Sequence, residues 1–368
     1  MAEALRELAL LFLRLGVTAF GGPAAHIALM EDEIVGRRGW LSRAEFLDLL
    51  GAANLIPGPN STEVAIHVGY ARAGWPGLVV AGACFILPAA LIVTGFAWAY
   101  VRYGALPAVG GFLYGVKPVV IALVAQALWR LGRTALRTRG LAALAVAAAA
   151  ANALGANELA VLAGAAVLGL AARGMRGAAA LVAAPAVAAP AAAAGVGLWP
   201  LFLFFAKVGS VLFGSGYVLL AFLRTGLVVE RGWLTEAQLL DAVAVGQVTP
   251  GPLFTTATFV GYLLGGGAGA AVATAGIFLP AFVFVAASAP FLPRLRASPT
   301  AAALLDAVNA ASLALMAVVS AYLARAALVD LTTVTLAALA GAALVGLPGR
   351  SSAWLVLAGG AVGLALRG

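Results

Sequence analysis

Residues Asn54 to Glu63 read Asn-Leu-Ile-Pro-Gly-Pro-Asn-Ser-Thr-Glu, and residues Gln247 to Thr256 read Gln-Val-Thr-Pro-Gly-Pro-Leu-Phe-Thr-Thr. The first turn, Pro57-Gly58-Pro59, sits between an apolar arm at 43–56 and another at 60–71. An arm of roughly 13 residues makes about 20 Å of helix, too short to cross ~30 Å of hydrocarbon. Proline cannot continue the helix before it and drives its preceding residue to an extended conformation, so Ile56 and Thr249 should end their arms. The expectation is a re-entrant hairpin that turns near the membrane midplane, made twice.

The rest of the chain supports a membrane setting. Of 368 residues, 64% are apolar and 10% charged, and the mean hydropathy is +1.06. A soluble domain carries about a quarter charged residues, so an ordinary soluble enzyme is excluded. The net charge of +8 comes from 22 Arg and Lys against 14 Asp and Glu. Arginines such as Arg130, Arg133, Arg137 and Arg139 cluster in short loops between apolar runs, which is the positive-inside pattern and not a nucleic-acid surface. The lone Cys84 excludes an internal disulfide, a zinc cluster or a thiol redox pair. Residues 5–28 are too long for a signal peptide and contain Arg14, so they read as a first span.

Self-similarity runs through the chain at a spacing of 193, then 192, residues. Phe12 to Phe20 matches Phe205 to Phe213, Arg38-Gly39-Trp40-Leu41 matches Arg231-Gly232-Trp233-Leu234, and Ile86-Leu87-Pro88 matches Phe278-Leu279-Pro280. We read two transporter repeats, 1–176 and 199–368, joined by an Ala/Pro-rich linker at 177–198. In the first, long spans at about 76–101 and 106–131 precede two short ones at about 141–155 and 158–172. If the linker does not cross, each repeat has five crossings and the second is inverted; if it does, the repeats are parallel. Arg37, Arg38, Arg43, Arg72 and Arg130 to Arg139 load one side in the first repeat, whereas Arg294, Arg296 and Arg350 lie on the other side of the second. That asymmetry points to inversion. The expected architecture is an all-α polytopic membrane protein of about 10 spans with two re-entrant hairpins.

Candidate site residues cluster at breaks. The first span is interrupted at Phe20-Gly21-Gly22-Pro23, matched by Phe213-Gly214-Ser215-Gly216. Non-helical backbone at membrane depth is tolerated only where it is buried in protein or lines a polar cavity. Close packing through small residues is the bland reading, but two matched pairs of breaks favour a substrate cavity. After the first turn, Asn60, Ser61, Thr62 and Glu63 read as a helix start, with Glu63 three residues past a capping Asn60. Helix starts bind anions through free N–H groups. Thr255 and Thr256 supply hydroxyls at the matched place, and Asn54 and Gln247 supply amides. Glu63 has a second reading: with His67 four residues on, it is a proton-coupling candidate. Only two histidines are present, His26 and His67, so a three-histidine metal site is excluded and neither metal nor cofactor is expected. Asp48 and Asp241, on the hairpins' first arms, read as solvated or cap-paired.

The chain has only two lysines, Lys117 and Lys207. Lys207 aligns with Arg14, and Lys117 lies mid-span and aligns with Asn309. A cation in a span costs about 2.5–3.5 kcal/mol on insertion scales. Snorkelling accounts for Arg14 and Lys207, and pairing with Asp306 or Glu63 for Lys117; otherwise these cations neutralise an anion.

These features together resemble the chromate ion transporter family: the duplicated Phe-Gly breaks, Gly39-Trp40-Leu41 with Gly232-Trp233-Leu234, and Pro57-Gly58-Pro59 with Pro250-Gly251-Pro252. Nearly the whole chain is covered, in the order of the two-domain form. Gly214-Ser215-Gly216 in place of Gly-Gly-Pro departs from strict symmetry. The resemblance implies a multi-pass protein of a prokaryotic inner membrane that exports chromate, a tetrahedral dianion, and confers chromate resistance, driven by membrane potential or protons. Alternating access would hold the anion at the turns and breaks, with Lys117, Arg14 and Lys207 offsetting its charge. The partners expected are chromate or a similar oxyanion, the lipid bilayer and, as an option, a second copy in a homodimer. A transporter of sulfate or another oxyanion is the alternative in the same class, and an anion channel the alternative outside it. No catalytic constellation is present, so an enzyme is not expected.

Overall fold

A computed structural model describes residues 1–20, 22–104, 106–172, 174, 196–213, 216–288, 299–346 and 352–367. Gly21, Gly214 and Ser215, most of the linker, and Arg294, Arg296 and Arg350 lie outside the described residues. The described residues form helices and turns, with no strand among them.

The chain runs through α1 (Ala2–Thr18), α2 (Gly22–Glu31) with a following π-helical turn (Asp32–Arg37), α3 (Arg43–Ala53), α4 (Asn60–Tyr103), α5 (Pro107–Ala135), α6 (Arg139–Ala153) and α7 (Glu158–Ala172). After the linker come α8 (Leu198–Val211), α9 (Leu219–Leu223) with its own π-helical turn (Arg224–Val229), α10 (Glu236–Val248), α11 (Thr256–Ser288), α12 (Pro299–Ala327), α13 (Leu331–Gly346) and α14 (Ser352–Arg367). Among the described residues, four helices are long and apolar enough to cross a membrane (α4, α5, α11 with the turn before it, and α12), and six shorter apolar helices accompany them. The segment 5–28, expected as a first span, instead folds back after α1, so that Glu7 and Trp40 both meet Arg72.

The hairpins form, with one boundary shifted. In the first, α3 ends at Ala53 rather than at Ile56, because Asn54 and Leu55 close the last turn onto Leu50 and Ala52 carbonyls. In the second, α10 ends as expected: Thr249 is extended at φ −86°, ψ 146°. Both first arms begin on a reciprocal cap, Ser42 with Glu45 and Thr235 with Gln238. The returning arm then doubles back sharply. α4 breaks at Ala73 (φ −146°, ψ 24°) and Gly74 (φ 60°, ψ −146°), and α11 at Gly265 (φ −149°, ψ 21°) and Gly266 (φ 59°, ψ −150°). Gly74 and Gly266 occupy a region that a side chain would strain, which is why glycine stands at both.

The halves interleave. α1 packs along α4 as α8 packs along α11, while α5 rests on α13 and α14 and α12 rests on α6 and α7. Leu78 of α4 shares a cluster with Ala281 and Val285 of α11. Farther along α4, Tyr100, Val101 and Gly104 line a cavity of about 330 Å³ with Leu263 and Leu264, which adjoin the α11 break. The α11 break therefore lies at the end of α4 remote from the α4 break. Val79, Leu87, Leu91 and Phe96 on α4 are exposed, as a lipid-facing surface requires.

Candidate functional site

The two Pro-Gly-Pro turns meet the opposite half's break. Gly58 N–H donates to the Leu212 carbonyl at 2.7 Å, and Gly251 N–H donates to the Ala19 carbonyl at 2.9 Å. Ala19 and Leu212 end α1 and α8 with nearly the same extended conformation, φ −80°, ψ 100° and φ −82°, ψ 110°. This is a reciprocal exchange: each turn supplies the donor that the other half's interrupted helix lacks. Gly58 and Gly251 have φ of 141° and 85°. A side chain on Gly251 would strike Ala89 and the Gly16 carbonyl, and one on Gly58 would strike Glu63. Proline has no N–H, so Pro57, Pro59, Pro250 and Pro252 offer none, and the glycine N–H groups are engaged across the interface. The Thr62 and Glu63 N–H groups donate to the Pro59 carbonyl and the Thr255 N–H to the Pro252 carbonyl, so the N–H groups left for an anion by helix geometry are those of Asn60 and Ser61 and of Leu253 and Phe254.

Those first turns are deeply buried and chemically unequal. Ser61, Thr62, Glu63 and His67 are at most 3% exposed. Asn60 is the first residue of α4, not its cap; Pro59 occupies the cap position without a side-chain bond, and the Asn60 amide donates instead to Asn54. The expected Asn60–Glu63 capping box is therefore absent, because the proline before Asn60 displaces the helix start by one residue. Both Glu63 carboxyl oxygens, Thr62 Oγ1, Asn60 Oδ1 and His67 Nε2 have no hydrogen-bond partner among the described residues. In the second half, the hydroxyls of Thr255 and Thr256 donate to the Pro252 and Leu253 carbonyls, both at 2.8 Å. Gln247 is buried at the end of α10 and Gly216 opens the short turn before α9. Gly22 begins α2 with φ 79°.

His26 enters this region although its role was not legible in the sequence. Its Nε2–H donates to the Ala19 carbonyl at 3.1 Å, beside Gly251 N–H, and its Nδ1 lies 3.5 Å from Ser61 Oγ. The available signal was its place three residues after the Gly-Gly-Pro break, in the first turn and a half of α2; Leu219 holds the matched position.

The cations divide. Lys117 pairs with Asp241 at 2.9 Å, and Tyr100 donates to the other Asp241 oxygen at 2.8 Å. The expected partners Asp306 and Glu63 are not those found, and Asp241 is buried rather than solvated. Lys117 thus reaches from α5 to the first arm of the second hairpin, away from the turns. Arg14 pairs with Glu33, which also meets Arg37 at 3.2 Å and Arg38 at 3.5 Å. Burial opposes the Glu33 charge, but the three arginines outweigh it and hold the carboxyl below its ordinary range. Lys207, matched to Arg14, is exposed, and Gly226 stands where the first half has Glu33.

The "Chromate transporter" family model matches residues 6–170 and again residues 199–364. A chromate transport protein of Cupriavidus metallidurans is 34% identical over 371 residues, covering 98% of this chain and 92% of that one. A probable chromate transport protein of Synechococcus elongatus is 32% identical over 347 residues, with 90% and 88% covered. A chromate transport protein of Pseudomonas aeruginosa is 35% identical over 293 residues, with 74% and 70% covered. No solved structure matches the chain.

Proposed function

The chain belongs to the chromate transporter family, and from that premise we propose that it exports chromate across a prokaryotic inner membrane by alternating access, giving chromate resistance. The observation that carries the mechanism is the reciprocal pair Gly58–Leu212 and Gly251–Ala19. It is what a two-fold relation between halves produces, and it brings both helix starts to one central region. The positions of the two breaks at opposite ends of α4 support inverted repeats, with the axis in the membrane plane. In this reading two inverted halves, each with a hairpin at its Pro-Gly-Pro turn, make the fold, and rocking of one half on the other exposes the centre to each side in turn.

The anion binds between the α4 start and the turn before α11. Its ligands are the free first-turn N–H groups and the unpartnered hydroxyl of Thr62, with Ser61, Asn54, Asn60 and Gln247 beside them; Thr255 and Thr256 join by turning their hydroxyls away from the Pro252 and Leu253 carbonyls. Gly22 and Gly216 keep the backbone close there. An inside-negative potential drives a dianion outward by about 2.3 kcal/mol per charge per 100 mV, so roughly 4.6 kcal/mol for chromate. Glu63 and His67 are the groups through which protons couple to this movement as antiport.

Everted vesicles test the proposal. Chromate should accumulate when the potential is inside-positive in the vesicle, and sulfate or molybdate should compete weakly. Accumulation of sulfate without chromate would transfer the reading to another oxyanion. Flux that never saturates, with single-channel conductance in bilayers, would replace the carrier by a channel.

A further inference from the structure

Away from the turns, a cavity of about 400 Å³ opens where α5 begins and α12 and α14 end. Its walls include Pro107, Gly110, Tyr114, Lys117, Ala326 and Arg367. A volume of this size lies in the range of small-molecule sites, about 300–1,000 Å³. We propose that it is a second oxyanion site, a vestibule in which a small tetrahedral anion is held between Lys117 at the floor and Arg367 at the mouth.

The two cations are fixed in the same way. At the mouth, Arg367 pairs with Asp330 at 3.0 Å and lies 3.9 Å over the Tyr114 ring, while Tyr114 O–H meets both Asp330 oxygens at 2.8 and 2.7 Å. The Asp330 carboxyl, in the loop before α13, is held below its ordinary range, first by Tyr114 and then by the Thr333 N–H. At the floor, Lys117 pairs with Asp241, whose second oxygen takes the Tyr100 O–H. Each acid is thus met by a tyrosine and a cation, and neither Asp241 nor Asp330 is among the residues that line the cavity. Each cation keeps donors in reserve. An ammonium has three and a guanidinium five; Arg367 gives one to Asp330, and Lys117 meets Asp241 as an ion pair at 2.9 Å. Tyr114, which Arg367 covers, and Lys117 are three residues apart on one face of α5, and both cations line the same cavity. Gly110, a turn nearer the mouth, leaves that face unobstructed.

The mouth lies at the start of α5, and Arg130 to Arg139 lie at and beyond its other end. By the positive-inside pattern the vestibule opens on the outer face, which makes it a release site on the proposed export path. Its ligand class rests on that transport reading, whereas its existence rests on the cavity and the two clamped cations.

The test uses the full-length protein in nanodiscs, carrying Cys84→Ser and Ala326→Cys. Ala326 is exposed at the cavity wall, so the new thiol reports its occupancy. Sulfate serves as probe, because chromate oxidises thiols. Sodium sulfate should slow thiol labelling relative to sodium chloride of equal ionic strength. Arg367→Gln should weaken that protection about tenfold, the loss expected for one charge-assisted hydrogen bond, and Arg367→Lys should restore part of it. Equal labelling in sulfate and chloride, in protein that melts like the parent, overturns the vestibule. So does protection that is unchanged in Arg367→Gln. Chromate flux in proteoliposomes of the wild-type protein separates the two readings. Flux without sulfate protection removes the vestibule and leaves the transporter, whereas protection without flux leaves the vestibule and removes the transporter.

Discussion

The two halves repeat each other in backbone and diverge in chemistry. Their breaks agree within a few degrees at Ala73-Gly74 and Gly265-Gly266, and both carry a π-helical turn followed by a glycine at φ near 60°, Gly39 and Gly232. Yet His26, Asn60, Glu63 and His67 of the first half are matched in sequence by Leu219, Leu253, Thr256 and Val260 of the second. Shared geometry belongs to what both halves must do, which is to turn at the midplane and engage each other. Unshared chemistry belongs to what need be done once. Titratable groups at the centre lie on one side only, so coupling to protons, if it passes through this region, passes through the first half.

The largest break in this comparison should come from the ion pair that has no counterpart. Asn309 stands at the position matched to Lys117. Lys117→Met leaves Asp241 buried without its cation, and the expected loss is about 3–5 kcal/mol in unfolding of the detergent-solubilised protein. Adding Asp241→Asn should recover most of that loss. If the double variant is as unstable as the single one, the pair is not what matters there.

The turns come next, and here the halves should behave alike. Gly58→Ala and Gly251→Ala each add a methyl at positive φ against packed atoms, with an expected cost of about 1–3 kcal/mol apiece. A large effect at one and none at the other, read by thermal melting, would contradict the reciprocal exchange.

Much of this was legible because proline and glycine act locally. Pro57 and Pro250 keep the arms before them from running on, and the gap between the apolar runs 60–71 and 76–101 marked the place where α4 breaks. The cap of α4 was misread, since Asn60 followed by Glu63 fits a capping box until Pro59 takes the cap position. The long-range pairs were illegible. No periodicity connects Lys117 to Asp241 or Gly58 to Leu212, which meet only because α5 packs on α10 and the halves interleave. His26 escaped for a related reason: its partner is a backbone carbonyl, which leaves no mark in side-chain spacing.

Function should again divide the halves. Glu63→Gln is expected to flatten the pH dependence of chromate flux in proteoliposomes, while Thr256→Val at the matched position lowers the rate without altering that dependence. An unchanged pH profile in Glu63→Gln would remove the proton role.

The smallest effect concerns Glu33. Its carboxyl is held below the ordinary range in the folded protein, so its stabilising contribution is complete above the unfolded value and is lost as pH falls through the folded one. Glu33→Gln should therefore cost about 1 kcal/mol at neutral pH and less in acid, as read by melting across pH. The second half, with Gly226 at that place, shows that the fold tolerates its absence.

The central claim is that one backbone, used twice and turned over, encloses the anion path. Arg137 and Val329 occupy matched positions just beyond α5 and α12. Single cysteines introduced there in a Cys84→Ser background, probed in intact cells with a membrane-impermeant thiol reagent, report the side of each loop. The account predicts that Val329→Cys is labelled from outside and Arg137→Cys only after the membrane is opened; labelling of both from the same side would contradict it.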